Sequence, residues 1–260
     1  MTVVSQDEEE VWGFENLGAG RGPARFRSRR LWFTHNHDLG SAGLVPTDFD
    51  GDGDLDLLLP TGDNFEYRYT YPQPYHGCLL IRNDGDWTWA VEPLADLGGT
   101  YAAAVGEMGI VLVSMFNAWH RHDAASVLLV SPGSGNRRSA RVISTRPSHL
   151  STVDCGDLDG DGHNDLAVAV HQANGTFNGK SRAWLGDGKR GFREVTGGFR
   201  TSGTTDVAIA SANKVGSRGR VVFCNSIGGR YDEAVPVHVY WGGRDGFDPE
   251  RVWKLSLIHI

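Results

Sequence analysis

Asp157-Leu158-Asp159-Gly160-Asp161-Gly162-His163-Asn164-Asp165 runs without a break into Leu166-Ala167-Val168-Ala169-Val170. Carboxylates stand at loop positions 1, 3, 5 and 9, and glycines at positions 4 and 6. In a plain strand these side chains would splay along one face. Glycine instead lets the backbone coil, so that the carboxylates converge. Converging aspartates repel one another and call for a cation, and hard oxygen donors of flexible geometry suit Ca²⁺. The same arrangement occurs earlier as Asp48-Phe49-Asp50-Gly51-Asp52-Gly53-Asp54-Leu55-Asp56, followed by Leu57-Leu58-Leu59. Position 7 differs, Asp54 against His163, as expected if that position offers only its backbone carbonyl. An EF-hand is excluded, because it needs a bidentate Glu at position 12 and flanking helices. Position 12 is Leu59 in one loop and Val168 in the other, and a strand-like apolar run follows each.

Working outward, each loop joins two short apolar segments, and this unit recurs. Val105-Gly106-Glu107-Met108-Gly109-Ile110 is a copy whose loop is almost deleted, and Val207-Ala208-Ile209-Ala210 with Val221-Val222-Phe223 is a fourth. From Asp48 to Glu107, Asp157 and Ala212 the steps are roughly 50 to 60 residues, a period that suits a four-stranded propeller blade better than a helical repeat. A second unit alternates with the first: an apolar strand, a glycine-rich turn, then an aromatic opening another strand. It reads Asn83-Asp84-Gly85-Asp86-Trp87, Gly186-Asp187-Gly188 to Phe192, and Gly242-Gly243-Arg244-Asp245-Gly246-Phe247, with Gly18-Ala19-Gly20 to Phe26 at the start and a weaker copy at Ser131 to Gly135. Such turns mark hairpins, because glycine reaches the positive φ they need. Four inner hairpins and about five outer ones follow, with no long amphipathic helix.

The bulk composition agrees. Of 260 residues, 40% are hydrophobic and 22% charged, which is ordinary for a globular protein, and 35 glycines fit many tight turns. A net charge of −7 and a pI near 5.8 argue against non-specific nucleic-acid binding. No apolar run reaches the length of a membrane-spanning helix, so no membrane insertion is expected in this segment. Met1 to Glu10 lacks the basic and apolar regions of a signal peptide. Cys78, Cys155 and Cys224 lie in apolar runs at no metal or disulfide spacing and read as small buried residues. The last six residues, Leu-Ser-Leu-Ile-His-Ile, resemble the translation of a transposase adapter. Residues 255–260 are therefore expected to be a tail foreign to the fold, the chain to be a fragment, and 1–13 to be an N-terminal segment before the repeats.

Two D-x-D-G-D-G-x-x-D loops in register with a repeat resemble the calcium loops of FG-GAP and VCBS repeats, the blades of integrin-α-like propellers. The likeness covers most of residues 14–254, and Val239 to Trp253 looks like the outer hairpin of bacterial members. It implies an all-β fold, a β-propeller of four-stranded antiparallel blades, with about four to five blades here as part of a seven- or eight-bladed ring. It implies two Ca²⁺ sites, with Asp48, Asp50, Asp52, Asp54 and Asp56 as ligands of one and Asp157, Asp159, Asp161, His163 and Asp165 as ligands of the other. An extracellular or cell-surface place goes with it, and a non-catalytic binding or adhesion role toward protein or carbohydrate at a propeller rim. The rival implication is a secreted propeller enzyme, a lyase or hydrolase acting on polysaccharide. The other two inner hairpins depart from the pattern, at Glu107-Met108 and at Ala212, Lys214, Gly216 and Arg220, and are expected to hold no calcium.

Outside the loops, His35-Asn36-His37-Asp38 and His120-Arg121-His122-Asp123 are candidates for metal or acid–base chemistry, with surface loops as the plainer reading. Trp32 and Trp253 recur at equivalent positions, as do Trp87, Phe192 and Phe247, which favours core packing. Trp12, Trp89 and Trp119 are less regular and could stack on sugars. The aromatic insertion Phe65 to Tyr75 is a candidate binding loop, and Asn174 to Gly179 takes its place after the second aspartate loop. No nucleotide-binding, nucleophile-elbow or zinc-protease motif occurs, and nothing points to a cofactor other than calcium.

Overall fold

In a computed structural model the described residues are 2–5, 9–18, 25–35, 39–62, 77–95, 97–115, 125–132, 138–189, 191–212, 217–228, 235–242 and 251–256. These form twenty strands and no helix. The chain divides into two compact units, 1–99 and 100–260.

The first unit holds two antiparallel sheets. One comprises β1 (Thr2–Ser5), β2 (Glu10–Asn16) and β3 (Phe26–Phe33). The other comprises β4 (Val45–Thr47), β5 (Asp56–Pro60), β6 (Cys78–Asn83) and β7 (Trp89–Ala95) in that order. Residues 1–13 thus contribute β1 and the start of β2, and pairing begins at Thr2 with Gly13. Val11 packs with Leu57, Leu59, Leu79 and Ile81, and Trp32 and Trp89 close the cluster from its edge. A Cβ at Gly13 would stand 2.7 Å from the Trp87 ring, so only glycine admits that indole.

The second unit holds three sheets. They are β8 (Thr100–Gly106), β9 (Gly109–Ser114), β10 (Val127–Pro132) and β11 (Arg138–Ser144); then β12 (His149–Gly156), β13 (Asp165–Gln172), β14 (Lys180–Gly186) and β15 (Phe192–Glu194), with β16 (Phe199–Arg200) also on β14; and β17 (Thr204–Ala210), β18 (Arg220–Asn225), β19 (Val237–Trp241) and β20 (Val252–Leu255). Each runs in chain order and all pairs are antiparallel, as expected for propeller blades joined by hairpins. Register breaks recur near the start of each first strand: Thr100/Ala102, Leu150/Thr152 and Thr204/Asp206. Recurrent bulges at one blade position are a repeat signature in the backbone itself.

Strand β13 shows why an unbroken apolar run forms a strand here. It is buried on both faces, and its side chains alternate between two cores. Leu166, Val168 and Val170 face the sheet of Val111, Val113 and Leu129, while Ala167 and Ala169 face that of Val207, Val221, Phe223 and Tyr240. Small alanines on one face leave room for the cluster of Phe199, Phe223 and Tyr240, whose rings lie 4.9 to 6.2 Å apart. Burial fades outward through a blade: β11 and β20 are mostly exposed. That gradient corrects the expected core role of Trp253. It stands on the outermost strand of its sheet, 63% exposed, its ring 4.5 Å from Trp241. Trp32, Trp87 and Phe192 are half-buried, while Phe247 lies outside the described residues. Cys78 is buried, Cys155 and Cys224 half-buried, and all three are free thiols; burial pushes Cys78 and Cys155 up to about 12.

Candidate metal centres

Both aspartate loops link a blade's first two strands, and their internal hydrogen bonds are the same. In the first, the amides of Gly51 and Gly53 donate to the two oxygens of Asp48 at 2.9 and 3.2 Å. In the second, Gly160 and Gly162 donate to Asp157 at 2.6 and 3.1 Å. Asp50 accepts from Asp52, and Asp52 from Asp54; Asp159 accepts from Asp161, and Asp161 from His163. All four glycines take φ between 79° and 96°, a region closed to most side chains. These bonds fix the coil and turn one carboxylate after another inward.

Position 9 is different in kind. Asp56 opens β5 and is fully buried; its two oxygens accept the amides of Phe49 and Asn83, both at 2.9 Å. Asp165 opens β13 and is equally buried. One oxygen accepts from Leu158 at 2.7 Å and Asp159 at 3.3 Å, the other from Gly186 at 2.8 Å. Each therefore clasps the loop to the third strand of its blade. Burial pushes the Asp165 carboxyl up to about 7 against the pull of those amides, and Asp56 shifts in the same direction for the same cause. Burial also raises Asp159, with Asp161 adding to it.

Among the described residues, two groups have ligand atoms all within 4.8 Å of one another: Asp48, Asp50 and Asp52, and Asp157, Asp159 and Asp165. Oxygens at about 2.4 Å from a calcium ion lie at most about 4.8 Å apart, so both groups fit the donor set and spacing of Ca²⁺. Asp54, Asp56, Asp161 and His163 fall outside these closest groups. Asp54 and His163 occupy the position that would offer a backbone carbonyl.

The second loop is also tied to both neighbouring blades, by contacts that pattern reading does not show. The Glu107 carboxylate, in the short β8–β9 turn, accepts the Asn164 amide at 2.9 Å, and the Asn164 side chain accepts the Glu107 amide at 2.8 Å. His163 Nδ1 lies 3.2 Å from the same carboxylate. On the other side the Asp157 amide donates to the Ser211 hydroxyl at 3.1 Å, and the amides of Ala212 and Gly219 donate to the carbonyls of Asp157 and Leu158. Glu107 thus marks a turn that lacks an aspartate loop of its own yet braces the next one. Arg220 opens β18 at the place that Asp165 takes in β13, and is exposed.

Residues 150–185 match the model of the FG-GAP repeat. This blade is similar to an FG-GAP repeat. The match runs from the second residue of β12 through the aspartate loop and β13 to the penultimate residue of β14. No curated protein matches the chain. With the antiparallel four-stranded sheets, the FG-GAP repeat gives the fold class as all-β and of the propeller type.

Among the other candidates, His35 is exposed and its ring meets Phe33 edge-on at 5.3 Å. His37, His120 to Asp123, Trp119, Lys214 and the insertion Phe65 to Tyr75 lie outside the described residues. Trp12 is half-buried and donates to Glu10 at 2.7 Å. Within Asn174 to Gly179, Asn174 and Gly175 form a tight turn closed by a bridge between Ala173 and Thr176.

Proposed function

We propose that this chain is a calcium-stabilised, extracellular β-propeller segment that acts as a non-catalytic binding or adhesion module for protein or carbohydrate. The observation that carries this reading is the shared loop geometry: two blades repeat one hydrogen-bond network that gathers three carboxylates within 4.8 Å. The ligands would be Asp48, Asp50, Asp52, Asp54 and Asp56, and Asp157, Asp159, Asp161, His163 and Asp165. Calcium, when bound, supplies the positive charge that offsets the mutual repulsion of these carboxylates. The chain's own residues do the rest. Asp56 and Asp165 hold the loop ends by backbone amides, and Glu107, Asn164 and Ser211 transmit the second loop's rigidity to the blades beside it. Extracellular calcium modules bind at about 10⁻⁴ to 10⁻³ M, which suits calcium-rich surroundings.

A glycan array and a protein pull-down, each with calcium and with chelator, test the binding role together with a polysaccharide turnover assay. Calcium-dependent capture without turnover is the expected result. Cleavage of a polysaccharide by the purified chain would sink the non-catalytic reading in favour of the enzyme.

A further inference from the structure

The FG-GAP blade has a second polar site at the end of its strands away from the aspartate loop. β12 runs from His149, just after Ser148, toward Gly156 and the loop, and β14 begins at Lys180, two strands on, at the far end. There a cavity of about 390 Å³ is lined by Arg146, Lys180, Arg182, Glu194 and the turn 195–198. Arg182 lies on a central strand and is only 3% exposed. Its guanidinium donates to the hydroxyls of Ser148 and Ser144, and no carboxylate among the described residues lies within ion-pair distance of it. A guanidinium carries five N–H donors in a planar fork, so donors remain for the cavity that it lines.

A buried cation without a counter-charge is costly, and a protein keeps one where a partner arrives from outside or where a paired network supports it. Here the pairing is incomplete. Among the described residues, Glu194 is the one carboxylate lining the cavity, and Arg146 engages both of its oxygens, at 2.9 and 3.1 Å. Lys180 donates to the Gly197 carbonyl at 2.8 Å and otherwise faces solvent. Three cations thus share one carboxylate on a chain whose net charge is −7. Burial, with Arg146 adding like charge, pushes Arg182 down to about 10, which leaves it cationic at neutral pH. Gly198, at φ +60° and with tight room for a Cβ beside the Ser181 carbonyl and the Lys180 side chain, leaves that wall without a side chain.

We propose that this cavity binds a small oxyanion, a carboxylate or sulfate group, between Lys180 and the buried fork of Arg182. The site is independent of the aspartate loops and does not rest on the calcium reading. Glu194 tunes it by holding Arg146 aside.

Isothermal titration calorimetry of the full chain at low ionic strength tests this with sodium sulfate, sodium glucuronate and, as neutral control, glucose. Saturable binding of sulfate or glucuronate, weakening with added salt, is expected, and none of glucose. Sulfate alone identifies a sulfate site; glucuronate alone identifies a sugar carboxylate. Lys180 is exposed, so Lys180→Ala leaves the fold intact and should weaken binding about tenfold. Glu194→Gln should strengthen it by about threefold or more, an outcome that misfolding cannot mimic. No saturable binding of either anion, equal binding of glucose, or affinities unmoved by both variants would overturn the proposal.

Discussion

Asp165→Asn separates a carboxylate that only ligates metal from one that also clasps the blade. Asp165 is fully buried and accepts the amides of Leu158 and Gly186 at 2.7 and 2.8 Å on different oxygens. Asparagine keeps one acceptor and turns an NH₂ toward the other donor. The loss is one charge-assisted hydrogen bond, about 1.5–3 kcal/mol, plus one buried amide left without a partner, about 1–3 kcal/mol. Together these give about 3–5 kcal/mol, or a fall in melting temperature of roughly 10 °C for a unit of this size. Urea unfolding and calorimetry, each with saturating calcium and with chelator, measure it. If Asp165 served the metal alone, variant and wild type would converge once calcium is removed. The clasp requires the deficit to persist in chelator, at about 2 kcal/mol or more. Convergence of the two curves in chelator, or a loss under about 1 kcal/mol in calcium, would refute the reasoning.

Burial, with His171 adding to it, holds His149 down to about 4, while an unfolded histidine titrates near 6.5. Its stabilising contribution is complete above about pH 6.5 and is lost as the pH falls through about 4, amounting to about 3 kcal/mol. His149→Gln should flatten that part of a stability-against-pH curve, and an unchanged difference between the two proteins from pH 7 to 4 would contradict it. Gly109→Ala should cost at least about 2 kcal/mol in denaturant, because φ is 129° and the new Cβ would meet the Val130 carbonyl oxygen at 2.3 Å. Glu107→Ala removes the acceptor for the Asn164 amide and should cost about 1 kcal/mol. It should also weaken calcium binding at the second loop, while the first loop keeps its affinity in the same titration.

The blade plan is legible in the chain because its signals are local. Glycine-rich turns and apolar runs place all four inner and all five outer hairpins, from β2–β3 to β19–β20. The coiling of each aspartate loop follows from glycines at two fixed positions, and the structure holds them at positive φ. What local patterns cannot carry is contact between blades. Glu107 reads as the remnant of a lost loop, yet its carboxylate holds Asn164 of the following blade. Asn164 has no counterpart in the first loop, where Leu55 stands, so comparing the two copies hides it. Trp253 repeats the position of Trp32, and both stand on the outermost strand of a sheet, but burial depends on what covers the strand: Trp32 packs against the cluster of Val11, Leu57 and Ile81, while Trp253 is 63% exposed. Arg182 looks like any polar strand residue between Ser181 and Ala183; only the fold shows that its charge is buried.

Among the described residues, only the two aspartate loops gather three carboxylates within 4.8 Å, and the proposal of two calcium sites rests on them. A calcium titration of the purified chain by isothermal calorimetry tests it most directly, with Asp50→Ala and Asp159→Ala as single variants. Two sites are expected in the wild type, one in each variant, and a lower melting temperature on chelation. No calcium binding, more than two tight sites, or a stoichiometry untouched by either substitution would contradict it.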